Sequence, residues 1–197
     1  MNAVIFDIGN VLIRWRPEAA LAPLFASPSD LEEALQRAGF SAWNREQDRG
    51  RSWEDGIAAA ATPQDARLFR AYYQGLAAAH AETIPQTVAL LEQLAERAVP
   101  LYALTNASVE TARIVARTHG FMVRFRDVCI SGAEALLKPD PEIYRRLLAR
   151  NALEAGDCLF VDDSAANVAG AQAVGMKAHH YTGADGLRER LQHEGLL

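Results

Sequence analysis

The sequence predicts an α/β fold in which a mostly parallel sheet carries helices on both faces and a helical lobe is inserted after the first strand. Two observations indicate the sheet. Short apolar runs alternate with longer segments of helical period, and turn residues separate the two kinds of segment. A third observation indicates the lobe, because residues 15–84 contain no convincing strand and are too long for a loop.

Five short apolar runs are the candidate strands. They are residues 3–6, 99–104, 127–131, 158–161 and 176–181. Helix-like segments follow at 86–97, 108–119, 141–151, 164–174 and 184–194. Ser108 is a suitable N-cap for the second of these segments, and Pro141 is favoured in the first turn of the third. This alternation predicts parallel strands joined by helical crossovers.

The interval between the first two strands is rich in Ala and Leu and is divided by prolines. Its helix-like pieces are residues 20–26, 29–39, 53–61 and 64–80. We therefore predict a core made of residues 1–14 and 85–197, with a helical cap at 15–84.

Composition and charge exclude several classes of protein. The formal net charge is −5, so broad attraction to nucleic acid or anionic lipid is not expected. No apolar run approaches the roughly 20 residues of a membrane helix, and the N-terminal run lacks the features of a signal peptide. Cys129 and Cys158 lie in apolar runs, which indicates buried thiols in a reducing compartment. We expect a cytoplasmic monomer or homodimer with no nucleic-acid or membrane partner.

Polar side chains follow four of the predicted strands, at the edge where a parallel sheet binds ligands. In chain order they are Asp7, Thr105, Asn106, Ser131, Lys138, Asp162 and Asp163. Three clustered carboxylates repel one another, and some would take up protons unless a cation lay among them. Oxygen ligands with open water positions suit Mg²⁺. The sequence therefore predicts a magnesium site at this edge.

Such a site suits phosphoryl chemistry. A carboxylate and a phosphate dianion repel strongly at contact, and a bridging Mg²⁺ removes much of that cost. Asp7 could then attack phosphorus to form an aspartyl-phosphate, which water resolves. Thr105, with N–H groups at the start of the next helix, and the charge of Lys138 could hold phosphate oxygens.

Four stretches carry a resemblance to a known family. The stretches VIFDIGNVL, LTNAS, LKPDPEIY and LFVDDSAANVAGA resemble the four ordered motifs of the haloacid dehalogenase-like hydrolase superfamily, which has a Rossmann-like doubly wound core. The resemblance covers the whole chain, and the inserted lobe corresponds to that family's helical type-1 cap.

The resemblance also implies roles for individual residues. Asp7 would be the nucleophile, and Lys138 would stabilise both the nucleophile and the phosphate. The phosphate would be bound by Thr105, Asn106 and Ala107. Mg²⁺ would be held by Asp7, the backbone carbonyl of Gly9, and Asp163 helped by Asp162, with Asn167 supporting the last loop.

Gly9 departs from the pattern of most phosphatases of this family, which carry a second aspartate there to protonate the leaving alcohol. That help is typically worth roughly 10²–10⁴ in rate. Three alternatives follow. The acid could come from water, the cap or the substrate; the reaction could occur at carbon, as in metal-free haloacid dehalogenases; or the protein could bind a phosphoryl ligand with little turnover.

The first alternative is favoured, because the paired acids Asp162 and Asp163 suit a divalent cation. The sequence is also similar to the subgroup that includes α-D-glucose-1-phosphate phosphatases, which has glycine at this position and a cap segment similar to DRGRSWEDG. We expect a Mg²⁺-dependent phosphatase acting on a small phosphorylated metabolite, with a sugar phosphate as one candidate.

Three other groups of residues are expected to be structural. We assign Arg45, Arg49 and Arg51 to a solvated face and His179–His180 to the end of a strand. The tryptophans are expected to pack within the cap, although Trp15 lies near the hinge and Trp43 could line the cleft.

Overall fold

The computed structural model describes residues 3–197, whose strands form one parallel five-stranded sheet. The strands are β1 (Ala3–Phe6), β2 (Leu101–Thr105), β3 (Asp127–Ile130), β4 (Cys158–Asp162) and β5 (Lys177–His180). Their order is β3-β2-β1-β4-β5, so the first strand is central. The predicted α/β fold and all five predicted strands are confirmed, with small shifts at their ends.

The central strand β1 is buried on both faces, which explains why its sequence is apolar throughout rather than alternating. Val4 and Phe6 belong to one hydrophobic cluster, and Ala3 and Ile5 belong to another on the opposite face. Helices cover both clusters. They are α7 (Pro85–Glu96), α8 (Val109–Thr118), α9 (Ser131–Glu134), α10 (Pro141–Arg150), α11 (Ala165–Ala173) and α12 (Ala184–His193). Within residues 3–197, no helix combines the length and hydropathy that a membrane crossing requires.

The predicted N-cap at Ser108 is confirmed. The Ser108 hydroxyl accepts a hydrogen bond from the N–H of Thr111 at 3.1 Å and another from Trp53 Nε1 at 3.2 Å. Ser164 occupies the equivalent position before α11, but its side chain makes no capping hydrogen bond.

These two serines give a matched pair for a stability test. We expect Ser108→Ala to lower the free energy of unfolding by about 1–2 kcal/mol, because a cap bond and the partner of a buried indole are both lost. Ser164→Ala should change it by less than about 0.5 kcal/mol. Urea unfolding of both variants measures the difference, and equal losses would contradict the capping role.

A helical lobe connects β1 to α7. Its helices are α1 (Pro17–Leu21), α2 (Pro28–Arg37), α3 (Phe40–Asp48), α4 (Trp53–Ala58), α5 (Pro63–Gln74) and α6 (Leu76–Ala79), with a short 3₁₀ turn at Ala22–Leu24. The lobe has its own hydrophobic cluster, in which the Trp43 ring stacks on Phe69 with centroids 3.9 Å apart. Helix α3 is absent from the sequence prediction. The boundaries predicted at residues 14/15 and 84/85 stay a prediction.

The lobe lies against the core near the carboxyl ends of β2 and β3. The Ser131 hydroxyl at the start of α9 donates to the backbone carbonyl of Asp48 at 2.5 Å. The Trp53 indole of the lobe donates to the Ser108 hydroxyl of the core. Gly50, at φ 108°, passes so close to the Gly132 carbonyl that a Cβ would lie 2.8 Å from that oxygen. The end of α3 is therefore fixed directly above the edge of the sheet.

Candidate active site

The strand register brings three of the predicted site residues to one edge of the sheet. Phe6 of β1 is aligned with Ala103 of β2 and with Val161 of β4. Asp7, which follows Phe6, therefore lies beside the ends of two neighbouring strands, where Thr105 and Asp162 stand. Apolar strand residues hold this edge rigidly, so the polar side chains are positioned by the packing of the core.

Lys138 is the centre of the site. Its side chain is only 1% exposed, and its ammonium donates to Asp7 Oδ1 (2.8 Å), Asp162 Oδ2 (2.7 Å) and the Leu104 carbonyl (2.9 Å). All three N–H donors of the ammonium are thus used. Burial disfavours the charge, but the charges of Asp7 and Asp162 outweigh that cost and raise the pKa of Lys138.

Asp7 is buried at the end of β1. Its Oδ1 accepts a hydrogen bond from the N–H of Ile8 at 2.7 Å as well as the one from Lys138. Burial raises the pKa of Asp7 to about 6, and the charge of Asp162 adds to the rise, while Lys138 opposes it. The Asp7 carboxyl therefore titrates just below neutral pH. Additional positive charge nearby would favour its ionised form.

The three predicted carboxylates form a candidate metal centre. Asp7, Asp162 and Asp163 each offer an oxygen within 4.8 Å of the others. Burial, with the charge of Asp162, raises the pKa of Asp163. Three hard oxygen donors around a single ammonium leave an excess of negative charge. This donor set fits Mg²⁺.

The two adjacent acids have different surroundings. Asp162 is fully buried, and its oxygens accept from Lys138, from the N–H of Ser164 (2.8 Å) and from Asn167 Nδ2 (3.0 and 3.1 Å). Asp163 is only partly buried and lines the cavity. The His180 ring donates from Nε2 to the Asp163 carbonyl at 2.9 Å, a structural contact for the strand-end histidine.

The predicted phosphate-binding loop is hydrogen-bonded to the neighbouring loops of the core. The Asn106 amide accepts from the Lys138 N–H (2.8 Å) and donates to the Lys138 carbonyl (3.1 Å), so its side chain holds the lysine loop. The Ala107 N–H donates to Ser131 Oγ at 2.9 Å. The Asn106 side chain and the Ala107 N–H therefore have partners within the protein. Both residues line the cavity with Thr105, and phosphate binding by this loop stays a prediction.

A cavity of about 190 Å³ lies between this edge and the lobe. The core contributes the predicted site residues Asp7, Gly9, Thr105, Asn106, Ala107, Lys138, Asp163 and Asn167, together with Ile8, Asn10, Ile13 and Thr111, Ala112 and Val115 of α8. The lobe contributes Trp15, Asn44, Asp48, Tyr72 and His80. Among residues 3–197, no arginine lines the cavity. Arg45 and Arg49 are exposed as predicted, whereas Arg51 is half-buried and donates to Gln47 and to the Trp43 carbonyl. Trp43 packs inside the lobe, whereas Trp15 lines the cavity.

Four residues of the lobe that line the cavity were missed as members of the site, namely Asn44, Asp48, Tyr72 and His80. Asp48 lies at the end of the unpredicted helix α3, and its only sequence signal is its place in the DRGRSWEDG segment. Burial raises the pKa of Asp48 to about 7, although the Ser108 N–H and the charge of Arg45 oppose the rise.

Comparison with known proteins gives consistent results. A family model described as haloacid dehalogenase-like hydrolase matches residues 1–175. The sesquiterpene phosphatase astK of Aspergillus oryzae is 29% identical over 192 residues, covering 92% of this chain and 90% of that protein. A phosphoglycolate phosphatase of Rhodospirillum rubrum is 32% identical over 186 residues, covering 89% of this chain and 77% of that protein.

Two solved structures show the same fold. The L-2-haloacid dehalogenase of Xanthobacter autotrophicus superposes with a TM-score of 0.72 at 18% identity, covering all of this chain and 84% of that one. An enzyme from Bacteroides thetaiotaomicron, solved with magnesium and inorganic phosphate, gives a TM-score of 0.68 at 19% identity, with 91% of this chain and 93% of that one covered.

Proposed function

Because this chain belongs to the haloacid dehalogenase-like hydrolase family, we propose that it is a Mg²⁺-dependent phosphatase that hydrolyses small phosphomonoesters through an aspartyl-phosphate. One observation carries this proposal: Asp7 and Asp162 bind the buried Lys138, and Asp163 lies beside both carboxylates in the lining of the cavity. The phosphatase names of two relatives that span most of the chain support it.

Each residue of the site has a separate task in this reaction. Asp7 attacks phosphorus, the bond to the leaving alcohol breaks, and water later hydrolyses the aspartyl-phosphate to restore Asp7. Lys138 keeps Asp7 ionised and fixes the direction of its carboxylate. Asp162 positions Lys138 and adds negative charge to the metal centre, but it would not bind Mg²⁺ directly, because both its oxygens already accept hydrogen bonds. Asp163, Asp7 and the Gly9 carbonyl would hold Mg²⁺, which when bound offsets the charge of the phosphoryl group.

The lining of the cavity favours an uncharged leaving group. The one lysine that lines it is engaged by two carboxylates, and no arginine among the described residues faces it. A second anionic group on the substrate would therefore be buried without a partner, which is costly. Ile13, Trp15 and Val115 offer apolar contact in the lining of the cavity. A compact phosphomonoester of a neutral alcohol fits these walls best, and a neutral sugar phosphate remains one candidate.

The other two alternatives are less well supported. A haloacid dehalogenase needs no cation, whereas three clustered carboxylates without one would carry a large repulsion. A phosphoryl-binding module would not need a carboxylate poised beside a lysine. Chloride release from 2-chloropropionate in metal-free buffer would favour the dehalogenase, and phosphate binding without turnover of any ester would favour the binder.

The metal dependence gives a direct test. With p-nitrophenyl phosphate as substrate, we expect turnover in Mg²⁺ and a fall of at least about 10²-fold after removal of the metal by EDTA, with recovery on adding Mg²⁺ back. Asp163→Asn should weaken the binding of Mg²⁺, so that the Mg²⁺ concentration giving half-maximal activity rises by at least about 10-fold. Equal turnover with and without metal in the wild type would overturn the proposed role of this cluster.

A further inference from the structure

Gly9 leaves the proposed phosphatase without the aspartate that usually supplies a proton, so another group has to protonate the leaving alcohol. We propose that Asp48, at the end of lobe helix α3, is the general acid that protonates the leaving alcohol and the general base that activates water in the second step. This inference rests on the proposed function and names a residue outside the four core motifs.

The position of Asp48 is suitable for this role. It lines the same cavity as Asp7, but from the lobe end, where the leaving group of a bound ester would lie. Its Oδ2 accepts a hydrogen bond from Asn44 Nδ2 at 3.1 Å, and the backbone N–H of Ser108 in the core lies close enough to lower its pKa somewhat. Ser131 holds its backbone carbonyl at 2.5 Å. The carboxyl group is therefore anchored to the core across the junction with the lobe.

The surroundings of Asp48 also keep a proton available. Burial raises its pKa to about 7, so that the protonated and ionised forms are both populated near neutral pH. A group with a pKa near the working pH is the most effective general acid or base. An exposed aspartate would be almost fully ionised and would have no proton to give.

The remaining polar groups at the lobe end are poorer donors. The His80 Nδ1 is bonded to the Leu76 carbonyl at 2.8 Å, which places the single proton of the neutral ring there. Burial lowers the pKa of His80, so the doubly protonated ring is disfavoured. The Tyr72 hydroxyl accepts from Trp15 Nε1 at 2.9 Å, and burial raises its pKa well above the usual value. Of the three carboxyls that line the cavity, Asp7 and Asp163 have the roles given above.

The two chemical steps balance with Asp48 alone as proton carrier. In the first, Asp7 bonds to phosphorus, the phosphorus–oxygen bond to the alcohol breaks, and the Asp48 carboxyl proton moves to the departing oxygen. In the second, water attacks phosphorus, its proton returns to the Asp48 carboxylate, and the bond between Asp7 and phosphorus breaks. The products are the alcohol and hydrogen phosphate, and both aspartates return to their starting forms.

The test compares leaving groups of different basicity. On benzyl phosphate, which releases a basic alkoxide, we expect Asp48→Asn to lower kcat/KM by about 10²-fold or more, whereas on p-nitrophenyl phosphate the loss should stay within about 3-fold. Asp48→Glu should recover part of the benzyl phosphate activity. A carboxyl can also be restored on the core side, because a Cβ on Gly9 would meet no atom within 4 Å. Gly9→Asp in the Asp48→Asn background should recover benzyl phosphate turnover.

The outcomes separate this inference from the proposed function. Equal losses on both esters would assign Asp48 a purely structural role and overturn the inference, as would unchanged benzyl phosphate turnover in Asp48→Asn. A wild-type protein that hydrolyses only p-nitrophenyl phosphate would overturn it too, because acid help would be absent, while leaving the phosphatase proposal intact. Inactivity of the wild type on all esters in Mg²⁺ would overturn both.

Discussion

Replacing Asp7 with asparagine is expected to reduce phosphate release from every ester by at least about 10⁴-fold, because the amide cannot form the covalent intermediate. The loss should be independent of the leaving group, in contrast to the loss in Asp48→Asn. Steady-state assays with p-nitrophenyl and benzyl phosphate measure it. The fold should persist, since Asn keeps an oxygen that accepts from Ile8 and Lys138.

Asp185 supplies the matched control for this experiment. It is exposed in the first turn of α12 and does not line the cavity. Asp185→Asn makes the same chemical change and should leave kcat/KM within about 2-fold of the wild type. Substantial turnover by Asp7→Asn, with a circular dichroism spectrum like that of the wild type, would rule out Asp7 as the nucleophile.

Replacing Lys138 with methionine should have the largest effect on stability. The ammonium lies between Asp7 and Asp162, and its removal leaves two buried carboxylates facing each other. Breaking a buried ion pair by deleting one partner costs about 3–5 kcal/mol. We therefore expect a loss of that size in urea unfolding in metal-free buffer, together with loss of turnover.

The chain contains only one other lysine, which makes the control straightforward. Lys177 pairs with Glu194 at 2.6 Å at the surface, with 44% of its side chain exposed. Lys177→Met should cost no more than about 1 kcal/mol, because exposed ion pairs contribute little. If the two substitutions destabilised the protein equally, the charge balance described for Lys138 would be wrong.

The sheet and its polar edge were predictable from the sequence because local patterns determine them. The apolar run that ends at Asp7 and the pair Asp162–Asp163 after a second apolar run required only strand recognition and the rule that parallel strands end together. The burial of Lys138 was not predictable in this way. Its side chain is enclosed because a loop after β3 folds over the ends of β1 and β4, which is a property of tertiary packing.

Helix α3 was missed for a specific reason. Two of its four buried side chains are the amides of Asn44 and Gln47, so the buried face does not read as an apolar stripe. Gln47 is fully buried and bonded to the Trp43 carbonyl (2.6 Å) and to Arg51 (2.9 Å), contacts that exist only in the folded lobe. Because α3 was not predicted, Asp48 at its end was not recognised as a site residue. Its raised pKa depends on burial against the core, which no local pattern records.

All three tryptophans of the chain, Trp15, Trp43 and Trp53, fall within the predicted cap. Of the three indole N–H groups, that of Trp53 donates to a core side chain, Ser108, and the Trp53 ring also stacks on Tyr73 with ring centroids 5.0 Å apart. Tryptophan emission from this protein therefore originates on one side of the cleft. Separation of the lobe from the core would break the hydrogen bond between the Trp53 indole and Ser108. Native tryptophan fluorescence can therefore report opening of the cleft without an added label.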